Sequence, residues 1–182
     1  MKEAIGGVFS LEFIIVFLLI LNGYMAFNVN YTKAFRVKNE IRSIIQKNEG
    51  LTDSAMEQIE EYMDEVKYTQ SQGFNQYCQN HGMYTCTTNT GRSFCMDVTT
   101  SDKYGTRKTA TGEENIAAYY TVTTFVDINI PIINKFFDRL GGLFAVSGET
   151  SLIYTKESAF IGGDSSTFED GANCNLIPKV IE

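Results

Sequence analysis

The stretch GGVFSLEFIIVFLLILNGYMAF, which begins at Gly6, constrains this chain more than any other. Every residue from 13 to 21 is apolar. The twenty residues 8–27 would make a helix of about 30 Å, the thickness of a bilayer's hydrocarbon core. Glu12 is at odds with a plain anchor, because a bare carboxylate in hydrocarbon is costly. The flanks do not read as a cleaved secretory signal. The leading MKEAIGG offsets Lys2 with Glu3, and YMAFNVNY after the run lacks the small-residue cleavage spacing.

The helical pattern continues past the apolar run. Phe27, Tyr31, Phe35, Ile41, Ile44 and Ile45 recur at spacings near three and four, while Lys33, Arg36, Asn39 and Arg42 lie largely on other faces. This predicts one helix over residues 8–47, about 60 Å long, apolar all round in its first half and amphipathic in its second. Asn22-Gly23 is a point of local weakness, since Gly costs about 1 kcal/mol against Ala in a helix. Gly50 is the expected stop. A second helix is predicted in TDSAMEQIEEYMDEVKY, with Ser54 and Glu57 as a capping box and Met56, Ile59, Met63 and Val66 as its inward stripe. Its acids, Glu57, Glu60, Glu61, Asp64 and Glu65, read as a solvated face.

Residues 71–114 turn polar, rich in Gly, Asn, Thr and Ser. MYTCTTNTGRSFCMDV reads as a hairpin around an Asn-Thr-Gly turn. TSDKYGTRKTATGEEN reads as a long exposed loop. AAYYTVTTFVDINIPI is the clearest strand: Tyr120, Val122, Thr124, Val126, Ile128 and Ile130 share one face, and Pro131 ends it. IINKFFDRL reads as a short amphipathic helix broken by Gly141-Gly142. FAVSGETSLIYTKES reads as a further strand, bulged near Gly148. The tail around GGDSSTFEDG reads as loop, anchored through Cys174. The expected fold class is α+β: a long N-terminal helix, half transmembrane and half amphipathic, followed by a small antiparallel β-rich head with short helices.

All four cysteines, Cys78, Cys86, Cys95 and Cys174, lie beyond the apolar run. An even count in a polar segment fits two disulfides and an oxidising, extracytoplasmic compartment. The spacings match no CxxC zinc pattern. Four cysteines allow three pairings; a turn centred on Thr90-Gly91 would put Cys86 opposite Cys95, which leaves the connectivity open. The five bases after the run, Lys33, Arg36, Lys38, Arg42 and Lys47, favour a cytoplasmic C-terminal side by the positive-inside rule. That rule weakens for long translocated domains, and the cysteines favour the outside.

The net charge is -7 with no basic face, so nucleic acid is not expected as a partner. The lone His81 sits in a polar loop between two cysteines. No G-x-S-x-G, HExxH, P-loop or G-x-G-x-x-G pattern occurs, and DSSTFEDG lacks EF-hand spacing. No enzyme, metal site or cofactor is expected.

VFSLEF, preceded by Gly6-Gly7, resembles the processing site of type IV prepilin-like proteins, in particular TadE-like pseudopilins of the tight-adherence (Tad) pilus superfamily. The resemblance covers roughly the first quarter of the chain. It implies a leader over 1–7 cut by a prepilin peptidase between Gly7 and Val8. Glu12 is then fifth in the mature chain, followed by Phe13, where the Tad major pilins favour Tyr. Those major pilins are also much shorter. The implied organisation is a leader (1–7), a transmembrane and stem helix (8–49) and an extracytoplasmic α+β head (50–182) on the cytoplasmic membrane or a cell-surface filament. The implied partners are sister subunits, the peptidase, a membrane assembly platform and the lipid bilayer. The alternative is a single-pass, membrane-anchored extracytoplasmic binding domain with no filament role.

Overall fold

The computed structural model describes residues 2–70, 73–100, 106–108, 114–126, 144–156 and 173–175. Its fold is α+β. Helix α1 spans Lys2–Lys47, 46 residues or about 70 Å at 1.5 Å per residue. It runs unbroken through Asn22-Gly23, where the Asn22 amide donates to the Leu18 carbonyl at 2.7 Å. Helix α2 follows at Asp53–Glu65 and a short α3 at Phe74–Asn80.

All seven described strands belong to one antiparallel sheet: β1 (Tyr84–Thr87), β2 (Ser93–Thr100), β3 (Thr106–Lys108), β4 (Glu114–Phe125), β5 (Ala145–Glu149), β6 (Ile153–Lys156) and β7 (Asn173–Asn175). The long β4 is its spine, pairing with β2, β3, β5 and β6, while β1 joins β2 to β7. Between β5 and β6 the register against β4 shifts by one, because residues 150–152 span the gap that Tyr119 and Tyr120 fill on β4. The bulge expected near Gly148 is therefore found just beyond it, at residues 150–152. Thr150 holds it, donating its N–H to the Tyr120 carbonyl at 2.9 Å and accepting the Tyr120 N–H on its hydroxyl at 3.0 Å. The loop expected between β2 and β4 contains β3, paired with Glu114, Asn115 and Ile116. Residues 127–143, with the predicted short helix, lie outside the described residues, as does the tail at 157–172.

Alternation along β4 divides the core. Ala118, Tyr120, Val122 and Val126 join Val37, Ile41, Ile44 and Ile45 of α1 and Met56, Ile59 and Met63 of α2. Phe125 faces the other way, into a smaller cluster with Cys78 and Cys95 against Phe74 and Tyr77 of α3. The sheet is thus covered on both faces. The buried stripe of α1 is Ala34, Val37, Lys38, Ile41, Ile44 and Ile45, so the expected Tyr31 and Phe35 fall outside it at 44% and 42% exposed. Small Ala34 lets the helix backbone approach β4 closely: the Thr124 hydroxyl donates to the Ala34 carbonyl at 2.8 Å, fully buried.

Helix caps differ from expectation in two places. The N-cap of α2 is Thr52, whose hydroxyl accepts the Ala55 N–H at 3.2 Å; Ser54 is one residue inside the helix. At the end of α1 the αL residue is Glu49 (φ 53°), one before the expected stop Gly50, which itself has a positive φ of 144° and whose N–H bonds the Ile45 carbonyl at 3.0 Å.

Candidate functional site

The N-terminal half of α1 has an 18-residue window of mean hydropathy 2.0, none of it buried. Phe9, Phe13, Ile14, Phe17 and Ile20 are each more than half exposed. Leu, Ile, Val and Phe all round a helix leave no polar face to turn to water. By length and composition α1 is a helix able to cross a membrane. Glu12 is exposed in this apolar surround, between Phe9 and Phe13, whose rings lie 6.1 Å apart. The backbone is helical through Gly7 and Val8, which puts Glu12 one turn beyond Val8 on the same side of the helix.

The second half of α1 fixes this rod to the head. Lys38 is its unexpected member: a lysine in the buried stripe, 6% exposed, with its ammonium 4.2 Å from the Phe35 ring centroid. Its stem lies against β5 at Gly148, where a Cβ would meet Lys38 Cδ, Cε and Nζ at 3.0 Å. Burial, with a smaller contribution from Arg42, holds Lys38 below the ordinary lysine pKa. Nearer the apolar half, Phe27 meets Phe144 edge-on at 5.1 Å. Gln46 reaches Ser151 at 2.7 Å near the far end. The rod is therefore held at three levels.

The cysteines form two bonds, Cys78–Cys95 and Cys86–Cys174. The expected opposition of Cys86 and Cys95 is off by one residue. Cys86 pairs with Phe94 across the hairpin, and Cys95 with Thr85. A slip of one residue turns a side chain to the other face of a sheet. Cys86 consequently faces α1 and α2, where it meets Cys174 on β7, and Cys95 faces α3, where it meets Cys78.

Part of the acidic face of α2 has a structural role. Glu60 accepts the Thr90 and Asn89 N–H groups of the β1–β2 turn at 3.0 and 3.4 Å. Asp64 pairs with the Arg92 guanidinium, which also donates to the Tyr68 carbonyl. Glu57, Glu61 and Glu65 remain exposed, as a solvated face would. These docking residues were missed because their partner is a turn about thirty residues away. Helix α3 was also missed, although Phe74, Tyr77 and Cys78 carry its three-and-four spacing. His81 stacks on Tyr77 at 4.0 Å and is exposed. No protein-family profile, curated protein or solved structure matches this chain.

Proposed function

We propose that this chain is a structural, pilin-like or pseudopilin-like subunit of a type IV (Tad-like) filament or related secretion system, nearest the TadE-like group. The observation that carries this reading is a single continuous helix with two surfaces. One half is apolar all round and uncovered, with Glu12 near its start; the other is locked onto a disulfide-tied head. An uncovered apolar half needs either lipid or copies of itself, and a pilin-like subunit meets each in turn, the bilayer before assembly and its sister subunits after it.

Glu12 gives the reading its chemistry. A cut after Gly7 would make Val8 a helix N-terminus carrying a free amine, and both its charge and the helix dipole attract a carboxylate. Within a bundle of such helices, Glu12 of one subunit faces the Val8 amine of the next. Pairing offsets the desolvation that each charge suffers alone. The head then stands on the extracytoplasmic side, where disulfides persist.

N-terminal sequencing of the mature protein is the first test. A start at Val8 is expected when a prepilin peptidase is present. An intact Met1 would instead favour the anchored binding domain with no filament role. Glu12→Ala should leave membrane insertion intact and abolish incorporation into filaments, read by cross-linking to neighbouring subunits. Normal assembly of that variant would refute the charge-pair role.

A further inference from the structure

A groove of about 390 Å³ opens where α1 leaves its apolar half, lined by Asn28, Val29, Thr32, Lys33, Arg36 and Val66. We propose that it binds the headgroup of an anionic phospholipid in the leaflet nearest the C-terminal domain. The inference rests on the membrane-crossing reading of α1, and on neither leader cleavage nor filament assembly.

Position comes first. The apolar stretch ends at Phe27, and the headgroup layer adds roughly 5–8 Å beyond the hydrocarbon core. Lys33 is six residues past Phe27, about 9 Å along the axis, and Arg36 about 13 Å. Helical side chains lean toward the helix N-terminus, which here is the membrane side. Both bases can therefore reach back into the headgroup layer with their long stems.

The lining has the required chemistry. Lys33 is partly buried and its ammonium lies 3.5 Å from the Lys67 carbonyl, just past the end of α2, so it is held at the groove. Arg36, one turn further on, presents a guanidinium fork suited to phosphate oxygens. The Thr32 hydroxyl is bonded to the Asn28 carbonyl at 2.8 Å, which orients it on the same wall. Val29 and Val66 supply apolar sides for the glycerol end of a lipid. In a chain of net charge -7, two bases and no acid line this groove. Glu40 lies one turn beyond Arg36 on α1, away from the membrane, and Glu65 precedes Val66 at the end of α2; both act with Arg36 on Tyr62, and neither lines the groove. The lining charge thus favours an anionic headgroup over a zwitterionic one.

The test uses the full chain in detergent micelles, titrated with phosphatidylglycerol or phosphatidylcholine and read as lipid-bound species by native mass spectrometry. Phosphatidylglycerol should bind at least tenfold more tightly than phosphatidylcholine. Combined Lys33→Gln and Arg36→Gln should weaken it roughly thirty-fold, the order expected for two bases near a charged bilayer. Lys33→Arg with Arg36→Lys should retain the preference, and Lys47→Gln, at the far end of the stem, should change nothing. Equal binding of the two lipids, or an unaffected double Gln variant, overturns the proposal. Displacement of the lipid by millimolar inorganic phosphate overturns it too, since the ligand would then be free phosphate. Alkaline carbonate extraction of membranes tests the underlying reading separately: release of the chain would sink the membrane span itself, whatever the lipid titration shows.

Discussion

Lys38 and two tyrosines make the fold sensitive to alkali in opposite senses. Burial first, and Glu40 next, raise Tyr62 above the ordinary tyrosine pKa of 10.0; Tyr84 is raised by burial and then by Asp97. The folded state holds these protons longer than the unfolded state. Their contribution to stability is whole below 10.0 and is lost as pH climbs through the raised folded values. Lys38 is lowered from 10.5, so its contribution rises with pH between that lowered value and 10.5. Urea midpoints measured from pH 8 to 11 should therefore fall less steeply in a Tyr62→Phe, Tyr84→Phe variant than in the native chain; an identical slope would discount both hydroxyls. The contact under Lys38 gives a second expectation. Gly148→Ala should cost about 1 kcal/mol, the low end for overpacking, and should cost almost nothing in a Lys38→Ala background. A double-mutant cycle reads that coupling. None of this was legible beforehand, because the spacing of α1 marks a stripe but not which strand lies across it.

At the scale of elements, the helix ends carry the argument. All three described helices close with an N–H reaching back five residues: Gly50 to Ile45, Tyr68 to Met63 and Met83 to Cys78. The residue before each of these donors is left-handed, but only the third is glycine, Gly82. Glu49 and Lys67 hold φ values of 53° and 50° against their own preference. Glu49→Gly should stabilise the fold by about 1 kcal/mol, the cost of a left-handed L-residue, measured by urea unfolding. A decrease would show that Glu49 makes some contact that matters more than its backbone. The β1–β2 turn is a second case. Asp64→Asn removes the charge opposite Arg92 and should cost about 1 kcal/mol, near the upper range for a partly exposed pair. The existence of α1, α2, the hairpin and β4 was legible, since each carries a run of its own period. The exact caps were not, because Thr52 and Ser54 are both good capping residues and only the tertiary structure shows the Thr52 hydroxyl accepting the Ala55 N–H.

The whole molecule is a rod joined to a head, and the disulfides belong to the head alone. The Cys86–Cys174 bond closes 88 residues and Cys78–Cys95 only 17. By loop-closure entropy the first is worth about 4.6 kcal/mol and the second about 3.1. Replacing Cys86 and Cys174 together by Ala should therefore lower the unfolding midpoint more than replacing Cys78 and Cys95. Peptide mapping under non-reducing conditions should recover Cys78 with Cys95 and Cys86 with Cys174. A peptide joining Cys86 to Cys95 would mean that the hairpin register is one residue away from that described.

That register separates what each level of description decided. The sequence by itself determined the long helix, its uncovered apolar half with Glu12, the α+β class and an even set of cysteines. These are local matters: composition and period are properties of a segment, and a segment carries them wherever it packs. Which cysteines meet, which face of β4 each helix covers, why a lysine lies under Gly148, and that Glu60 and Asp64 hold a distant turn were decided only by the tertiary structure. Those depend on pairing between segments far apart in the chain, where a shift of one residue reverses every face and no single segment records the choice.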